Sequence, residues 1–287
     1  MDKRLLKIVF WGEDSFSSVV LNSLISDSHY VKLVISPCYN NLIHKRLEYI
    51  CHKFQIPFEQ YHKINSEEVF YRVKSFSPDL CVVTHFEKLI KSPILEIPRL
   101  GFINLHPSLL PFYRGMAPQH WPIINGEKET GVSVHYVDSG IDTGDVIIQE
   151  CITIEKDMYV SDLQNKWIKI YSHIVLHAID RILKGSPVVK LSGLAGSYYG
   201  KLKTEQCQID LNANSQSVYN LIRGVSLPYH GAQIDNIIIW RAHFPCSDIT
   251  KKITKKYDTY GVYLQTEFGD FLKLTDGVLI IDKYKQA

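Results

Sequence analysis

The sequence predicts an α/β protein: a Rossmann-like, mostly parallel sheet flanked by helices, followed by a small β-rich C-terminal domain. Three observations lead there. Over roughly the first 100 residues, short β-branched runs alternate with amphipathic stretches, the mark of βαβ units. Leu80 to Thr84 and Gly101 to Leu105 are almost wholly apolar, as strands covered on both faces must be. Near residue 185 the composition shifts to glycine, serine and proline, and short strands separated by turns follow. A chain of 287 residues, 45% hydrophobic, has ample material for a core in one large domain or a large and a small one.

The elements follow in order. Lys7 to Trp11 is the first strand and Phe16 to Ile25 the helix after it; Val31 to Ser36 is a second strand, and Ile43 to Phe54 a helix that stops before Pro57. Glu67 to Ser75 makes a third helix, ended by Pro78, ahead of the two apolar strands. Gly131 to Val137 and Val146 to Ile154 alternate, which predicts a more exposed, antiparallel part of the sheet. Asp157 to Leu183 repeats apolar residues at helical spacing through Val160, Leu163, Trp167, Ile170, Ile174 and Ala178. The expected division is residues 1–185, a linker at 186–204 containing Tyr198 and Tyr199, and a small domain at 205–287. In that domain Ser215 to Arg223 reads as a helix, and Gln233 to Trp240, Gly261 to Thr266, Phe271 to Leu274 and Val278 to Ile281 as strands.

Composition excludes some functions. Lys and Arg number 32 against 30 Asp and Glu, which leaves no broad electrostatic footprint for nucleic acid. No apolar run approaches the roughly 18 residues of a membrane span. The start, basic then apolar, mimics a signal peptide, but Glu13 and Asp14 cut it short and it reads better as a strand. The six cysteines show neither C-x-x-C pairs nor zinc spacing and fit reduced thiols in a cytoplasmic protein.

Polar and titratable residues gather between Asn104 and Asp145. Asn104 and His106 lie two apart at the end of a buried strand, so both side chains point the same way, at the sheet edge where ligands bind. Prolines then enforce an irregular loop, and Asp138 to Asp145 makes an acidic, glycine-bearing turn. An amide can hold a developing oxyanion, an imidazole can move a proton, and a carboxylate can orient that imidazole. The set suits acyl transfer to an external nucleophile, because no G-x-S-x-G elbow is present. Taken singly, a strand-end histidine also serves as a structural hydrogen-bonded residue and an aspartate in a D-x-G turn as turn chemistry, so spacing alone leaves the assignment open.

The stretch Asn104-Leu105-His106-Pro107-Ser108-Leu109-Leu110-Pro111, then Tyr113-Arg114-Gly115, Glu129-Thr130-Gly131-Val132 and Asp142-Thr143-Gly144-Asp145 resembles the signature of the formyltransferases that use N10-formyltetrahydrofolate. The likeness extends to Val9 to Gly12, to Asp79 to Val83 and, in the second domain, to Leu221 to Arg223, Pro228 to Ala232 and Ile238 to Ala242. It implies the formyltransferase fold and Asn104, His106 and Asp142 as catalytic residues, with no metal. It also implies folate against the loop Thr84 to Ile90, with His85, Phe86 and Leu89, and against the acidic turn at Asp138, Gly140 and Asp142. His85 and Phe86 depart from the small residues expected there, so backbone groups of the loop are the expected pterin contacts. Gly12 and Ser15, at the start of the first helix, are candidates for a phosphate, although Glu13 and Asp14 would repel it. Arg114 could clamp an anion or brace its own loop.

Three amine acceptors fit such a family. Glycinamide ribonucleotide formyltransferases lack a C-terminal domain. Methionyl-tRNA formyltransferases use theirs to hold tRNA, but Thr204 to Ala287 carries nine Lys and Arg against nine Asp and Glu, a poor clamp for a polyanion. Resemblance therefore points to sugar N-formyltransferases acting on a nucleotide-linked amino sugar, such as dTDP-4-amino-4,6-dideoxyglucose, for lipopolysaccharide O-antigen. Tyr229 is the candidate for stacking on the base, with Arg223 nearby in sequence. The expected protein is a cytoplasmic homodimer that binds a small-molecule acceptor and folate, and neither nucleic acid nor membrane. A relative without activity that senses folate or nucleotide is the competing class.

Overall fold

A computed structural model of the chain describes residues 4–39 and 43–286. The first three residues of the basic start, and Ala287 at the end of the expected C-terminal domain, lie outside the described residues. Two compact units emerge: Met1–Gly115, Gly131–Ile152 and Lys166–Tyr198 form the first, and Met116–Thr130, Thr153–Asn165 and Tyr199–Ala287 the second.

The chain order is β1 (Lys7–Gly12), α1 (Ser15–Ser26), β2 (Tyr30–Pro37), α2 (Lys45–Lys53), β3 (Phe58–Tyr61), α3 (Glu67–Ser75), β4 (Leu80–Thr84), β5 (Phe102–His106), β6 (Arg114–Gly115) and α4 (Trp121–Ile124). There follow β7 (Glu129–Tyr136), β8 (Val146–Thr153), α5 (Val160–Leu183) and β9 (Tyr198–Tyr199). A seven-stranded sheet has the order β3-β2-β1-β4-β5-β7-β8, parallel from β3 to β5, with β7 antiparallel to β5. Helix α1 starts because the Asp14 carboxylate accepts the Phe16 and Ser17 N–H groups, both at 3.0 Å, while Ser17 reaches back to complete a capping box. Its Val20, Leu21 and Leu24 are fully buried. On β1 every residue from Ile8 to Gly12 is buried, so this strand is covered on both faces. Val9 and Trp11 join Leu33, Ile35, Val69, Val73, Cys81, Val83 and Phe102 in one core cluster. Each such side chain contributes about 1.5–3 kcal/mol when removed from water, set against the entropy of ordering it.

The mixed α/β architecture with a C-terminal β-rich part is as the sequence predicts; several details differ. Strand β3 goes unforeseen because only Phe58 and Tyr61 of its four residues are apolar. Strand β7 is antiparallel, as expected, but buried from Thr130 to His135 rather than exposed.

In the second unit, α6 (Ser215–Gly224) is capped by Asn214, whose side chain accepts the Ser217 N–H at 2.8 Å. Strands β10 (Ala232–Ile234) and β11 (Ile237–His243), helix α7 (Ser247–Lys256), and strands β12 (Gly261–Thr266), β13 (Gly269–Lys273) and β14 (Val278–Gln286) complete it. Its sheet runs β10-β11-β14-β13-β12 and is antiparallel throughout. The expected single strand from Gln233 to Trp240 is two, because Asp235 takes a left-handed φ of 50° and turns the chain into a hairpin. The six cysteines are all free thiols. Among the described residues, no helix is long and apolar enough to cross a membrane.

Candidate active site

Strand β5 ends at His106, and its register sets Asn104 opposite His135 and His106 opposite Ser133 on β7. Paired residues on neighbouring strands share a face, so Asn104, His106 and His135 project to one side of the sheet. The turn after β7 brings the fourth member. Asp138 Oδ1 accepts the Gly140 N–H at 3.0 Å and the Thr143 hydroxyl at 2.6 Å, and Asp142 adopts a φ of 52°. Gly144 lets this turn lie against β7, since a Cβ there would stand 1.8 Å from the Tyr136 carbonyl oxygen.

The Asp142 carboxylate is the hub. Its Oδ2 accepts the Gly115 N–H at 2.8 Å and stands 3.6 Å from His106 Nδ1. Its Oδ1 faces the Asn104 amide nitrogen at 3.4 Å and His135 Nε2 at 3.5 Å. Burial pushes this carboxyl up, but the pull of His106, His135 and the Gly115 N–H outweighs it and holds the group well below the usual carboxylate range. His106 is 4% exposed, and burial lowers its pKa despite Asp142 and the Tyr113 carbonyl. Its Nε2 stands 2.8 Å from that carbonyl, an acceptor only, so Nε2 carries the hydrogen and Nδ1 keeps its lone pair toward Asp142. The arrangement is a neutral imidazole beside an anion, able to take one proton at Nδ1.

His135 is the member that sequence reasoning missed. Its Nδ1–H goes to the Tyr136 carbonyl at 2.8 Å, which leaves Nε2 to accept an Asn104 amide hydrogen at 3.1 Å and fix that amide's orientation. In an alternating, buried strand such a histidine reads as core, and only the register opposite Asn104 gives it away.

The other expected contacts divide. The N–H groups at the start of α1 are taken by Asp14, and Gly12 is buried with Phe10 and Ser17 2.7 Å from where a Cβ would sit. The Asp14 carboxylate thus takes the cap position beside Gly12 and the exposed Ser15, where the sequence offers its phosphate candidates. His85 is held at both nitrogens, with Asp14 at 3.0 Å and the Tyr171 hydroxyl at 3.0 Å, and it stacks on Phe16. Phe86 packs edge-on against Trp11, whereas Leu89 is exposed. Arg114 keeps a buried Nε with no hydrogen-bond partner. Arg223 corrects an expectation: it is 4% exposed, and its guanidinium donates to the Met158 carbonyl at 2.8 Å and to Asn220 Oδ1 at 2.6 Å, so it braces its own unit. The Tyr229 hydroxyl accepts from Gln164, and its ring stands edge-on to His120. No group of three or more His, Cys, Asp or Glu among the described residues could hold a metal ion.

The family model described as formyl transferase matches residues 6–179. The chain belongs to the formyl transferase family. Among curated relatives of this formyltransferase, the methionyl-tRNA formyltransferase of Thermodesulfovibrio yellowstonii is 32% identical over 76% of this chain and 72% of its own length. That of Clostridioides difficile is 32% identical over 97% and 91%. Among solved structures, the sugar 3N-formyl transferase WlaRD, crystallised in the presence of dTDP and 5-N-formyl-THF, superposes with a TM-score of 0.70 at 22% identity over 97% of both chains. The N-formyltransferase of Helicobacter canadensis, in complex with folinic acid and dTDP-3-aminofucose, gives 0.69 at 20% over 98% of this chain and 100% of its own. At these identities the structural likeness bears on the fold.

Proposed function

We propose that this formyltransferase moves the formyl group of N10-formyltetrahydrofolate to the amine of a nucleotide-linked amino sugar, in the manner of dTDP-4-amino-4,6-dideoxyglucose, for O-antigen assembly. The observation that carries the chemistry is the Asp142 hub, which holds an amide, a neutral imidazole and a carboxylate on one spot. The unprotonated amine attacks the formyl carbon, and the resulting oxyanion takes the Asn104 hydrogen that now faces Asp142 across a long 3.4 Å contact. His106 accepts the amine proton at Nδ1, steadied by Asp142, and returns it to the folate nitrogen as the carbon–nitrogen bond to the donor breaks. On this reading the pterin meets backbone groups of the loop around His85 and Phe86, near Leu89, and the turn at Asp138, Gly140 and Asp142. The unpartnered Nε of Arg114 favours an anionic group, such as the acceptor's diphosphate, beside it.

The acceptor is argued from the second unit. Of its nine Lys and Arg after Thr204, Arg223 and Lys273 are buried, Arg241 lies over the Tyr159 ring and Lys256 pairs with Glu267 at 2.7 Å. The other five lie exposed on α7 and β14, but nine Asp and Glu of the same stretch offset them, which leaves a weak footprint for a phosphate backbone. End-to-end superposition on two sugar N-formyltransferases supports the same choice. A second reading, methionyl-tRNA as acceptor, is favoured by relatives that are 32% identical. The two separate when N10-formyltetrahydrofolate is supplied with dTDP-4-amino-4,6-dideoxyglucose, GDP-perosamine or methionyl-tRNA in parallel and tetrahydrofolate release is followed. Turnover with an amino-sugar nucleotide is expected; turnover with the charged tRNA alone would replace the sugar reading.

A further inference from the structure

The segment Gly196-Ser197-Tyr198 reads in the sequence as linker, yet it lies against the catalytic loop of the first unit. The Ser197 N–H donates to the Pro111 carbonyl at 3.2 Å, its carbonyl accepts the Arg114 N–H at 2.9 Å, and its hydroxyl accepts the Tyr113 N–H at 2.9 Å. Gly196 permits the approach, because a Cβ there would stand 2.3 Å from the Pro111 carbonyl oxygen. Ser197 is the half-buried residue at the end of an otherwise exposed run from Ser192 to Gly196. The residue it grips is unusual. Tyr113 has a φ of 60°, a left-handed conformation that an L side chain adopts only where the surroundings enforce it, and its carbonyl is the partner of His106 Nε2.

These contacts form one chain. Ser197 holds the N–H of Tyr113, the Tyr113 carbonyl fixes the hydrogen of His106 on Nε2, and His106 Nδ1 is thereby left open toward Asp142. We infer that Ser197 is a positioning residue for formyl transfer, which sets the tautomer of His106 through the left-handed Tyr113. This rests on the reading of His106 as the group that moves the proton. An imidazole in the other tautomer would point a hydrogen at Asp142 and turn its lone pair at Nε2 toward the Tyr113 carbonyl, leaving none at Nδ1 to accept a proton from the amine.

The test compares Ser197→Thr, which keeps a hydroxyl, with Ser197→Val, which has nearly the same shape without one. Ser197→Val is expected to lower kcat about 10-fold, with little change in KM for the formyl donor, and Ser197→Thr to recover most of that loss. Gly196→Ala, which pushes the segment off Pro111, is expected to behave like Ser197→Val. Long-range ¹H–¹⁵N correlation of the histidine rings, with His106 assigned through its loss in His106→Gln, is expected to show a single Nε2–H tautomer in the wild type and a mixture in Ser197→Val. The inference is overturned if Ser197→Val and Ser197→Thr agree in both kcat and His106 tautomer. Full activity in His106→Ala would instead remove the functional reading, and the tautomer comparison would still decide the role of Ser197.

Discussion

A buried imidazole whose Nε2 hydrogen is committed to the Tyr113 carbonyl can act as a base only through Nδ1, and Asp142 lies 3.6 Å from that nitrogen. On the proposed mechanism, His106→Ala removes the base, and Asp142→Asn removes the charge that steadies the imidazolium. Both are expected to cut kcat by at least about 100-fold while largely sparing folate binding, as read by single-turnover kinetics and calorimetry with a folate analogue. Near-normal turnover in either variant would break the assignment. The pH dependence follows from the same geometry. Burial holds the pKa of His106 below its ordinary value near 6.5, so the base form persists to lower pH. The acid limb of kcat/KM is expected with a midpoint below about 6.5, and a midpoint at or above that value would show a different group titrating. At this scale the sequence was partly legible. Asn104 and His106 are readable from strand alternation, and Asp142 from the turn that carries it. His135 and Arg223 were not: one is told from core only by its strand partner, and the other meets carbonyl groups about 65 residues away in sequence.

Helices α4 and α6 of the second unit meet where α6 ends in Gly224. A Cβ there would stand 2.6 Å from Ile124 Cγ1, so the close approach needs glycine. The His120 ring bridges the two helices, donating Nδ1–H to the Gly224 carbonyl at 2.7 Å, and burial lowers its pKa to about 4. An unfolded histidine titrates near 6.5, so between these values the unfolded chain takes up a proton that the folded one refuses. The contribution of neutral His120 is therefore complete above about pH 6.5 and is lost as pH falls toward 4, by roughly 3 kcal/mol. His120→Asn keeps a hydrogen-bond donor without titrating. In urea unfolding, the stability of the wild type relative to His120→Asn is expected to fall by that amount between pH 7 and pH 4, and a constant gap would refute the bridge. Elements with strong patterns were readable, such as β4 and α3, whose residues match those expected. Elements whose cause lies elsewhere were not. Strand β3 has little apolar character, and α7, with its lysines at 251, 252, 255 and 256, reads as a solvated face whose helix is not obvious because only Ile253 is buried.

Across the whole molecule 32 cations stand against 30 anions, and the stretch after Thr204 keeps that balance with nine of each. In the second unit two cations are turned inward, Arg223 to satisfy carbonyl groups and Lys273 to donate to the Tyr257 carbonyl, while the exposed Arg241 lies over the Tyr159 ring. On the outside of this unit are the face of α7, with Lys251, Lys252 and Lys255 exposed, Lys283 and Lys285 on β14, and the exposed Lys128, Lys156, Lys201 and Lys203 earlier in the chain. A nucleotide diphosphate needs one or two well-placed cations, whereas a tRNA backbone draws on many and binds with an affinity that falls steeply with salt. The acceptor therefore predicts how the enzyme responds to losing the α7 lysines. Lys251→Gln, Lys252→Gln and Lys255→Gln together preserve helix propensity and touch no buried group. With an amino-sugar nucleotide as acceptor, kcat/KM is expected to stay within about 2-fold of the wild type and to respond weakly to salt between 50 and 200 mM, the range over which about 10³-fold or more is lost by proteins that neutralise many phosphates. A loss of about 10-fold or more, with a salt slope reduced in the triple variant, would mark α7 as a phosphate-backbone contact and favour tRNA as the acceptor.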